Sequence, residues 1–324
     1  MEKIAVTGAN GFIGSSLCKY LAESGYEVLC LVRDGSDTSL LPSSLNIIYV
    51  DYQNMTDIED KINDCDVLIH SAALTRAKNW NHIKNINVVL TENIINIVNN
   101  CPSIRQFIFI SSQAAAGPAP TAYGINEEDI CKPVSLYGKS KLEAEHQIKD
   151  KCYKSWTIIR PVSVFGPGEK DFYEYYKIIN KGLSPLIGVV DRFVNLIHVD
   201  DLCRMIQMTI GNISAYNECF FASSSETVSM AGFSYILAQI LGKKLVELHI
   251  PLPILYIAAV ISEIFCPPQK FPPLLNRQKY KEMIQRYWIV NNTKAYEKLG
   301  FVTDTTLTKQ MAKTIEWYLS KDML

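Results

Sequence analysis

The first 160 residues alternate between short apolar runs and segments with helical periodicity. The apolar runs are rich in β-branched residues and are too short for buried helices: Lys3–Thr7, Glu27–Val32, Asn46–Val50, Asp66–Ser71, Gln106–Ser111 and Trp156–Arg160. Apolar residues at helical spacing lie between them, in Gly11–Ser24, Ile83–Asn100 and Ser135–Asp150. Strands that are apolar throughout are typical of a parallel sheet covered by helices on both faces. The pattern therefore predicts an α/β fold with a doubly wound parallel sheet.

The first strand leads directly into TGANGFIG, which carries glycines at positions 8, 11 and 14. Gly8 permits a tight turn, Gly11 lets the backbone approach a pyrophosphate, and Gly14 allows close packing of helix on strand. The helix that follows directs its free N–H groups at this turn. An ordinary turn is the alternative, but strand, turn and helix in this order favour dinucleotide binding on a Rossmann-type sheet. The expected cofactor contacts are Gly8, Asn10, Gly11, Phe12, Ile13 and Gly14.

Beyond Arg160 the pattern loosens into short elements between glycine- and proline-rich loops. A helix begins near His198, Glu218–Ala222 is a further candidate strand for the sheet, and Met230–Leu241 has helical spacing. We expect residues 1–165 to form the cofactor domain, with residues 190–225 returning to it. Residues 166–324 are expected to form mainly a smaller, C-terminal substrate-binding lobe.

The GxxGxxG spacing resembles the extended branch of the short-chain dehydrogenase/reductases, the NAD(P)-dependent epimerase/dehydratase family. Val32 stands where NAD-binding members carry a carboxylate for the ribose, and Arg33 follows it. A guanidinium suits a 2′-phosphate, so we expect NADP as the preferred cofactor and NAD as the alternative. The competing interpretation is that Arg33 only caps the loop and that Asp34 contacts the ribose.

Later segments resemble further cofactor contacts of that family. Asp51 and Tyr52 follow the third strand, where the family brings an Asp near the adenine, and helix capping is the alternative role for Asp51. Ala72 and Ala73 end the fourth strand, where they either leave room for the dinucleotide or simply pack. Asn87 lies in NVVLTEN, which resembles the family's NVxGTxN helix, with a leucine in place of the glycine.

The segment Tyr137-Gly-Lys-Ser-Lys141 lies on a predicted helix, where residues at i and i+4 share one face. A free phenol has a pKa of about 10, and the charge of Lys141 is expected to lower the pKa of Tyr137 towards neutrality. The preceding strand ends in Ser111 and Ser112, at the sheet edge where open α/β folds bind ligands. A hydroxyl there can stabilise negative charge on a substrate oxygen. We expect Ser112 to serve this role, with Ser111 as the fallback.

The resemblance covers the chain from Lys3 to about Leu319. The family's RPxxVYGP segment beside the nicotinamide is matched by RPVSVFGP, which adds Pro161 and Val164 to the expected cofactor contacts. HVDDL and KLGF resemble the family's YVDDL and KLGW. The resemblance implies a mechanism in which Ser112, Tyr137 and Lys141 act together. Hydride moves between the nicotinamide and a carbinol or carbonyl carbon, and Tyr137 carries the proton.

Two branches of the family compete for the substrate. Nucleotide-sugar epimerases and dehydratases usually carry an aromatic–Asn pair after the sixth-strand Arg, and this chain has Val162 and Ser163 there. Arg192 is still a candidate phosphate contact. These departures resemble the 3β-hydroxysteroid dehydrogenase and dihydroflavonol reductase branches instead. We therefore expect a hydroxyl/ketone oxidoreductase for a hydrophobic substrate, with an NAD-holding nucleotide-sugar epimerase or dehydratase as the alternative and a non-catalytic nucleotide sensor as a third.

Apolar side chains of the second half agree with a hydrophobic substrate, although core packing is the commoner use of such residues. The segments concerned are FYEYY, with Phe172, Tyr173, Tyr175 and Tyr176, and the apolar stretch Ile250–Phe265. Basic residues follow that stretch at positions 270, 277, 279, 281 and 286, against the single acid Glu282 between Cys266 and Val290. They favour either peripheral contact with an anionic membrane or, more simply, a solvated helix face.

Composition narrows the remaining classes of function. The net charge of −1 offers no basic surface for nucleic acid. Nine scattered cysteines without a CxxC pair, and five separated histidines, predict reduced thiols, no metal site and a cytoplasmic protein. The longest uncharged apolar stretch, Ile250–Ser262, is too short to span a bilayer. A small-molecule substrate is therefore the expected partner, and a homodimer is left open.

Overall fold

A computed structural model describes residues 1–267 and 272–324 of the chain. Its strands are β1 (Lys3–Thr7), β2 (Glu27–Arg33), β3 (Asn46–Val50), β4 (Val67–His70), β5 (Gln106–Ile110), β6 (Ser155–Pro161), β7 (Ser163–Phe165), β8 (Leu183–Ile187), β9 (Phe193–His198), β10 (Glu218–Ala222), β11 (Thr227–Ser229), β12 (Val246–Ile250) and β13 (Tyr287–Trp288). Its α-helices are α1 (Phe12–Glu23), α2 (Met55–Ile62), α3 (Trp80–Lys84), α4 (Leu90–Asn100), α5 (Gln113–Ala116), α6 (Leu136–Lys151), α7 (Lys170–Asn180), α8 (Val199–Thr209), α9 (Met230–Leu241), α10 (Leu252–Ile264), α11 (Arg277–Met283), α12 (Thr293–Leu299) and α13 (Leu307–Ser320).

The large sheet has seven strands in the order β10-β6-β5-β4-β1-β2-β3. Every neighbouring pair in it is parallel, which confirms the predicted doubly wound sheet. The strand expected at Glu218–Ala222 is β10, and it joins the sheet beside β6. From β1 the chain moves outward to β2 on one side, and from β4 it moves outward to β5 on the other. The carboxyl ends of β1 and β4 therefore form the switch point where ligands bind in such sheets.

Both faces of this sheet are covered by helices, which explains why its strands lack polar alternation. Ile4 and Val6 face the side where α1 and α8 pack. Ala5 faces the opposite side, where α2, α4 and α6 pack. Successive side chains of a strand point to opposite faces, so a strand between two helical layers must be apolar at every position.

Two helical features differ from the sequence-based expectation. The segment expected as one helix from Ile83 to Asn100 is α3, a π-helical turn over Asn85–Val89, and α4. A π turn inserts an extra residue and changes which side chains face inward, and here Asn87 is buried. Helix α2 was not expected, since its sequence MTDIEDKI offers only a short apolar pattern. Asn54 caps it by accepting a hydrogen bond from the Asp57 N–H.

The second lobe has a hydrophobic core of its own. Helices α7, α9 and α13 supply most of it, together with Phe165 and Leu196. A small sheet in the order β11-β9-β13, with β7 paired to β9, and the parallel pair β8 and β12 complete this part of the chain. Because β7 follows β6 directly, the small sheet begins at the carboxyl edge of the large one.

Candidate active site

The glycine turn after β1 is packed too tightly for side chains. Gly8 has a φ of +66°, and a Cβ on it would lie 2.6 Å from the Ala72 backbone. A Cβ on Gly14 would lie 2.1 Å from the carbonyl oxygen of Gly8, so α1 can approach the turn only with glycine there. The Gly11 N–H closes the turn by donating to the Gly8 carbonyl at 3.0 Å. The three glycines therefore form a backbone cradle, in which Gly11 is exposed and Gly14 is buried against the turn.

Helix α1 begins at this cradle without a side-chain cap. Gly11 is its N-cap residue, and the first turn contains no acidic residue. The N–H groups of Phe12 and Ile13 have no partner within the helix because they precede its first hydrogen bond, from Ser15 to Gly11. Unpaired N–H groups and the positive helix end attract a phosphate. The cradle therefore fits the pyrophosphate of a dinucleotide.

The predicted preference for NADP over NAD depends on the residues at the end of β2. Val32 is buried in the sheet, and Arg33 is exposed at the last position of the strand. Asp34 accepts a hydrogen bond from the N–H of the following Gly35. Asp34 therefore lies in the turn after the strand, and Arg33 is the charged residue at the last position of β2.

Residues from two further loops surround this end of the sheet. Asp51 is exposed and accepts a hydrogen bond from the Gln53 N–H; the helix cap expected of it as an alternative is supplied by Asn54. Burial raises the pKa of Tyr52 to about 12, and the nearby Gly8 backbone and Arg33 oppose the rise. Asn10 donates to the Asp37 carbonyl at 3.1 Å, which ties the glycine turn to the loop after β2.

A buried chain of hydrogen bonds runs from the cofactor edge into the protein. The Ala72 N–H donates to the Thr7 hydroxyl at 3.3 Å, and that hydroxyl lies 2.6 Å from Nδ1 of His70. His70 Nε2 lies 3.1 Å from the Thr91 hydroxyl, which itself donates to the Asn87 carbonyl. Thr91 therefore accepts from Nε2–H, and Nδ1 accepts from Thr7. Burial lowers the pKa of His70 to about 3, so the ring is neutral.

The side-chain amide of Asn87 continues this chain towards α6. It accepts from the Leu74 N–H at 2.7 Å and donates to the Leu74 carbonyl and the Ser140 hydroxyl, each at 2.9 Å. Ser140 in turn donates to the Tyr137 carbonyl at 2.8 Å. The Asn87 side chain thus holds the loop after Ala73 against α6, and its direct contact with a cofactor stays a prediction.

The three predicted catalytic residues meet where β5 and α6 approach each other. Ser112 is the N-cap of α5, and its hydroxyl accepts from the Ala114 N–H at 3.1 Å. Tyr137 lies in the first turn of α6, where its hydroxyl is close enough to the Ser112 side chain for Ser112 to lower its pKa. Lys141 lies one turn later, is buried, and donates from Nζ to the Ile110 carbonyl at 2.6 Å.

A glycine between Tyr137 and Lys141 explains how Ser112 reaches the tyrosine. A Cβ on Gly138 would lie 2.1 Å from the Ala114 carbonyl oxygen, so α5 and α6 make backbone contact at this point. Because Ser112 caps α5, that contact sets its distance to α6. Gly138 was not among the predicted site residues, although the sequence YGKSK displays it.

The protonation states differ from the sequence-based expectation. Burial raises the pKa of Tyr137 to about 12, and the hydrogen bond with Ser112 only partly opposes this. Burial also lowers the pKa of Lys141 to about 7, against the attraction of Glu145. The expected lowering of the Tyr137 pKa by Lys141 is therefore wrong for this structure. A buried site disfavours both the phenolate and the ammonium.

The neighbouring serine has a different role. Ser111 is buried and donates to Oε1 of Glu145 at 2.5 Å. Glu145 forms an ion pair with Arg160, whose Nη2 lies 2.6 Å from Oε2, and both side chains are buried. Ser111 therefore belongs to a structural network, and the hydroxyl that reaches Tyr137 is that of Ser112. The ion pair of Glu145 and Arg160 was not predicted from the sequence. An arginine in the apolar run WTIIR and a glutamate one turn after Lys141 are the features of the sequence that indicate it.

The comparison with known families decides what kind of site this is. The profile described as "NAD dependent epimerase/dehydratase family" matches residues 4–218, which include the glycine turn, Ser112, Tyr137 and Lys141. The chain belongs to the NAD dependent epimerase/dehydratase family.

Relatives of this family member catalyse more than one reaction. A UDP-glucose 4-epimerase of Vibrio cholerae is 29% identical over 265 residues, which cover 78% of this chain and 79% of the relative. A decarboxylating sterol-4-alpha-carboxylate 3-dehydrogenase of Dictyostelium discoideum is 24% identical over 336 residues, covering 96% and 99%. The solved UDP-glucose 4-epimerase of Thermotoga maritima shares the fold, with a TM-score of 0.80, 20% identity and coverage of 98% and 99%. The protein is thus an enzyme of an NAD-dependent family that contains both epimerases and dehydrogenases.

In this family member the segment after β6 leads from the large sheet into the small one, and its contact with a nicotinamide stays a prediction. Pro161 is buried at the end of β6, opposite Ala222 of β10. Val164 lies in β7, opposite Ile197 of β9, and is partly exposed. Both residues therefore follow the carboxyl edge of the sheet, next to the other site residues of that edge.

Arg192, the candidate phosphate contact, is used by the protein itself. Its Nη1 donates to the carbonyls of Ile187 and Val190, the latter at 2.8 Å. The guanidinium thus closes the loop after β8. The Nε of the same guanidinium has no hydrogen-bond partner among the described residues, whereas Asn195 bonds within the protein, to the Glu226 carbonyl and the Val290 N–H.

A cavity of about 770 Å³ opens beside the catalytic helix. Its walls come from α10, α11 and the loop before α3, with Ala77, Lys78, Tyr256, Val260, Glu263, Ile264, Cys266, Pro272, Pro273, Asn276, Arg277, Gln278, Tyr280 and Lys281 among the lining residues. The Gln278 side chain accepts from the N–H of Leu136, the residue before Tyr137. Gln278 therefore links the cavity to the first turn of α6, although Ser112, Tyr137 and Lys141 do not line it. The size of the cavity is typical of small-molecule sites.

The aromatic residues of FYEYY do not line this cavity. Tyr176 is fully buried, Phe172 packs on Phe165 and Phe233, and Tyr173 stacks on Tyr318. The Tyr175 hydroxyl lies 2.6 Å from that of Ser234 on α9. Tyr176 belongs to the core of the second lobe, and Phe172, Tyr173 and Tyr175 are partly buried against that core. The structure therefore favours the alternative of core packing over a substrate lining for this segment.

Proposed function

We propose that this enzyme is an oxidoreductase that interconverts a hydroxyl and a ketone on a hydrophobic substrate and prefers NADP. The observation that carries the proposal is the cavity beside α6, one wall of which consists of Tyr256, Val260 and Ile264 of α10. An apolar wall next to a Ser–Tyr–Lys site suits a carbonyl on a hydrophobic skeleton. Residues 166–324, on this proposal, are mainly the substrate-binding lobe, and the free cysteines support a reducing compartment such as the cytoplasm.

The cofactor site follows from the same edge of the sheet. The glycine cradle and the first turn of α1 would hold the pyrophosphate. Arg33 would pair with a 2′-phosphate, which its exposed position at the end of β2 allows. The remaining proposed contacts are Asn10, Asp51, Tyr52, Ala72, Ala73, Asn87, Tyr137, Lys141, Pro161 and Val164. When bound, a nicotinamide dinucleotide supplies or accepts the hydride of the reaction.

The proton of the reaction is assigned to Tyr137. A pKa of about 12 keeps its hydroxyl protonated at neutral pH, so the group is ready to donate to a carbonyl oxygen during reduction. Ser112 holds the same oxygen by a second hydrogen bond as negative charge develops on it. Lys141, with a pKa of about 7, exchanges a proton easily near neutral pH.

A nucleotide-sugar epimerase or dehydratase is the second candidate, favoured by the UDP-glucose 4-epimerase of Vibrio cholerae at 29% identity. Such a substrate carries a diphosphate, which requires basic groups in the substrate lobe. Arg192 already bonds to two backbone carbonyls. That engagement counts against Arg192 as the phosphate contact, whereas Arg277 and Lys281 line the cavity and keep the nucleotide sugar as the second candidate.

The two candidates differ in net redox change. The purified protein is denatured to identify any retained dinucleotide, and NADPH and NADH absorbance is then followed with hydrophobic ketones and with UDP-sugars. We expect NADPH oxidation with ketones, reduced about a hundredfold or more in Tyr137→Phe because the general acid is lost. Tyr123→Phe is the matched control, since Tyr123 is 93% exposed.

Two other outcomes would replace the proposed oxidoreductase function by a different one. Interconversion of UDP-sugars without net cofactor turnover would replace the proposal by the epimerase reading. Dinucleotide binding without activity, unchanged in Tyr137→Phe, would indicate a nucleotide sensor.

Cofactor preference is tested separately through Arg33. Arg33→Ala is expected to raise the KM for NADPH and to leave the KM for NADH nearly unchanged, because only NADPH carries the 2′-phosphate. Arg105→Ala is the control, since that guanidinium pairs with Glu2 and Asp66. A wild-type preference for NADH would refute the assignment of Arg33.

A further inference from the structure

Helix α10 exposes apolar side chains to an unusual degree. Its sequence LPILYIAAVISEI contains one charged residue, Glu263, and only Leu255 and Ala259 are buried. The exposed apolar side chains of the helix and its C-terminal end are Ile254, Tyr256, Ile257, Ile261, Ile264 and Phe265. Surface helices normally turn their apolar stripe towards the core. Here the larger part of the apolar surface faces outward.

Four of these side chains form one stripe, and Tyr256 lies beside it, against Tyr280 of α11. Ile254, Ile257, Ile261 and Ile264 are spaced by three, four and three residues, so they lie on one face of the helix. Ile264 and Phe265 are 71% and 81% exposed. Exposed apolar surface of this extent marks an interaction site. We call the six exposed side chains the α10 surface.

The charged segment that follows the α10 surface in the chain has a net positive charge. The two acids nearby are paired, Glu263 with Arg277 at 2.6 Å and Glu282 with Lys279 at 3.2 Å. Within residues 1–267 and 272–324, neither Lys281 nor Arg286 has an ion pair, and both are exposed. Lys270, the fifth base of this segment, lies outside the described residues.

The same helix forms a wall of the cavity beside α6. Tyr256 and Ile264 belong both to the α10 surface and to the cavity lining, and Lys281 lies at the cavity as well. An occupant of the α10 surface would therefore lie at the entrance of the cavity.

We propose that the α10 surface docks onto an anionic phospholipid bilayer. The exposed isoleucines and Phe265 enter the boundary between headgroups and acyl chains, Tyr256 lies at the headgroup level, and Lys281 and Arg286 contact the anionic headgroups. The proposal concerns binding alone and does not rest on the proposed reaction.

The length of α10 decides between lying on the bilayer and crossing it. Thirteen residues make a helix of about 20 Å, whereas the hydrocarbon core is about 30 Å thick. No helix among the described residues is long and apolar enough to cross a membrane. Helix α10 therefore lies in the interface.

Charge argues for a bilayer rather than a second copy of the chain. A two-fold interface through the α10 surface would bring like charges at Lys281 and Arg286 of both copies together, which is unfavourable. Anionic headgroups offer the complementary charge.

Binding is measured by sedimentation of the full chain with vesicles, either of phosphatidylcholine alone or of phosphatidylcholine mixed with phosphatidylglycerol. We expect binding to the mixed vesicles that salt weakens. Ile257→Asn and Ile261→Asn should each weaken it about tenfold. Lys281→Gln and Arg286→Gln should each weaken it about fivefold.

Matched control variants keep the test specific. Ile130→Asn and Ile213→Asn replace isoleucines that are 84% and 81% exposed elsewhere, and Lys309→Gln replaces an exposed lysine on α13. They should bind like the wild type. Circular dichroism of every variant checks the fold, and all these positions are exposed, so folding should be preserved.

Four outcomes would overturn the proposal. One is failure of the wild type to bind mixed vesicles, and another is binding that Ile257→Asn and Ile261→Asn leave unchanged. The third is a dimer that light scattering detects in the wild type and that either substitution dissociates, since a second copy would then occupy the surface. Equal binding to neutral vesicles would remove the role of Lys281 and Arg286 and overturn the assignment to anionic lipid.

Discussion

Replacing Glu145 by glutamine should destabilise the protein strongly, because it leaves the Arg160 charge buried without a counter-charge. Glu145 is 0% and Arg160 2% exposed. Two bonds join them, from Nε to Oε1 at 3.0 Å and from Nη2 to Oε2 at 2.6 Å. Ser111 donates to the same carboxylate, so the substitution also disturbs the residue before Ser112.

The expected magnitude follows from the burial of both partners. Breaking a buried pair by removing one charge costs about 3–5 kcal/mol, whereas removing both charges in favour of apolar side chains is often nearly neutral. Glu145→Gln and Arg160→Met should therefore each lower the free energy of unfolding by about 3–5 kcal/mol. The double variant Glu145→Leu/Arg160→Met should be more stable than either single variant.

Equilibrium unfolding in urea, followed by circular dichroism, measures these differences through the midpoint and slope. The reference is Glu174→Gln, which removes an exposed ion pair with Lys177 and should cost at most about 0.5 kcal/mol. The reasoning is refuted if Glu145→Gln costs no more than Glu174→Gln. It is also refuted if the double variant is less stable than both single variants.

Three further predictions concern the site and its buried groups. Lys141→Met should be more stable than the wild type at pH 6, and this difference in stability should be smaller at pH 9. Burial lowers the pKa of Lys141 from 10.5 to about 7, so between these pH values the unfolded wild type holds a proton that the folded state has released. The stability of the wild type therefore rises with pH in this range. A gap in the urea midpoints that does not change with pH would count against the buried lysine. His70→Asn should reduce acid denaturation. Burial lowers the His70 pKa from 6.5 to about 3, so the wild type loses stability as the pH falls between these values. Thermal melts between pH 7 and pH 4 check this, and an equal dependence of Tm on pH in both proteins would contradict it. Gly138→Ala should lower kcat and destabilise the protein by about 1–3 kcal/mol. The added Cβ would lie 2.1 Å from the Ala114 carbonyl oxygen and push Ser112 away from Tyr137. Unchanged steady-state kinetics would show that the contact between Gly138 and Ala114 does not determine the geometry of the site.

Much of the fold could be predicted because its signals are local and repeated. Strands β1 and β3 have the predicted bounds, and so do β10 and α9. Apolar runs without alternation already imply helices on both faces, and a glycine turn between a strand and a helix already implies a backbone cradle. The spacing of Tyr137 and Lys141 places them on one helix face by geometry alone.

Other features depended on which distant segments meet. The sequence favoured Ser112 and left Ser111 as the fallback, and only the buried pair of Glu145 and Arg160 assigns Ser111 to a structural network. The aromatic residues of FYEYY were compatible with a core or with a substrate lining until α9 and α13 were seen to cover them.

Local sequence was enough to predict the parallel sheet, the glycine cradle and the placement of Tyr137 and Lys141 on one helix face, since periodicity and helix geometry act over a few neighbouring residues. Tertiary structure alone decided the protonation of that pair, the partners of Arg192 and the outward apolar face of α10. Those properties depend on burial, which is set by contacts between residues far apart in the chain, such as Leu136 with Gln278, 142 positions away. A pKa follows the local dielectric and charge around a group, and that environment exists only once the chain has folded.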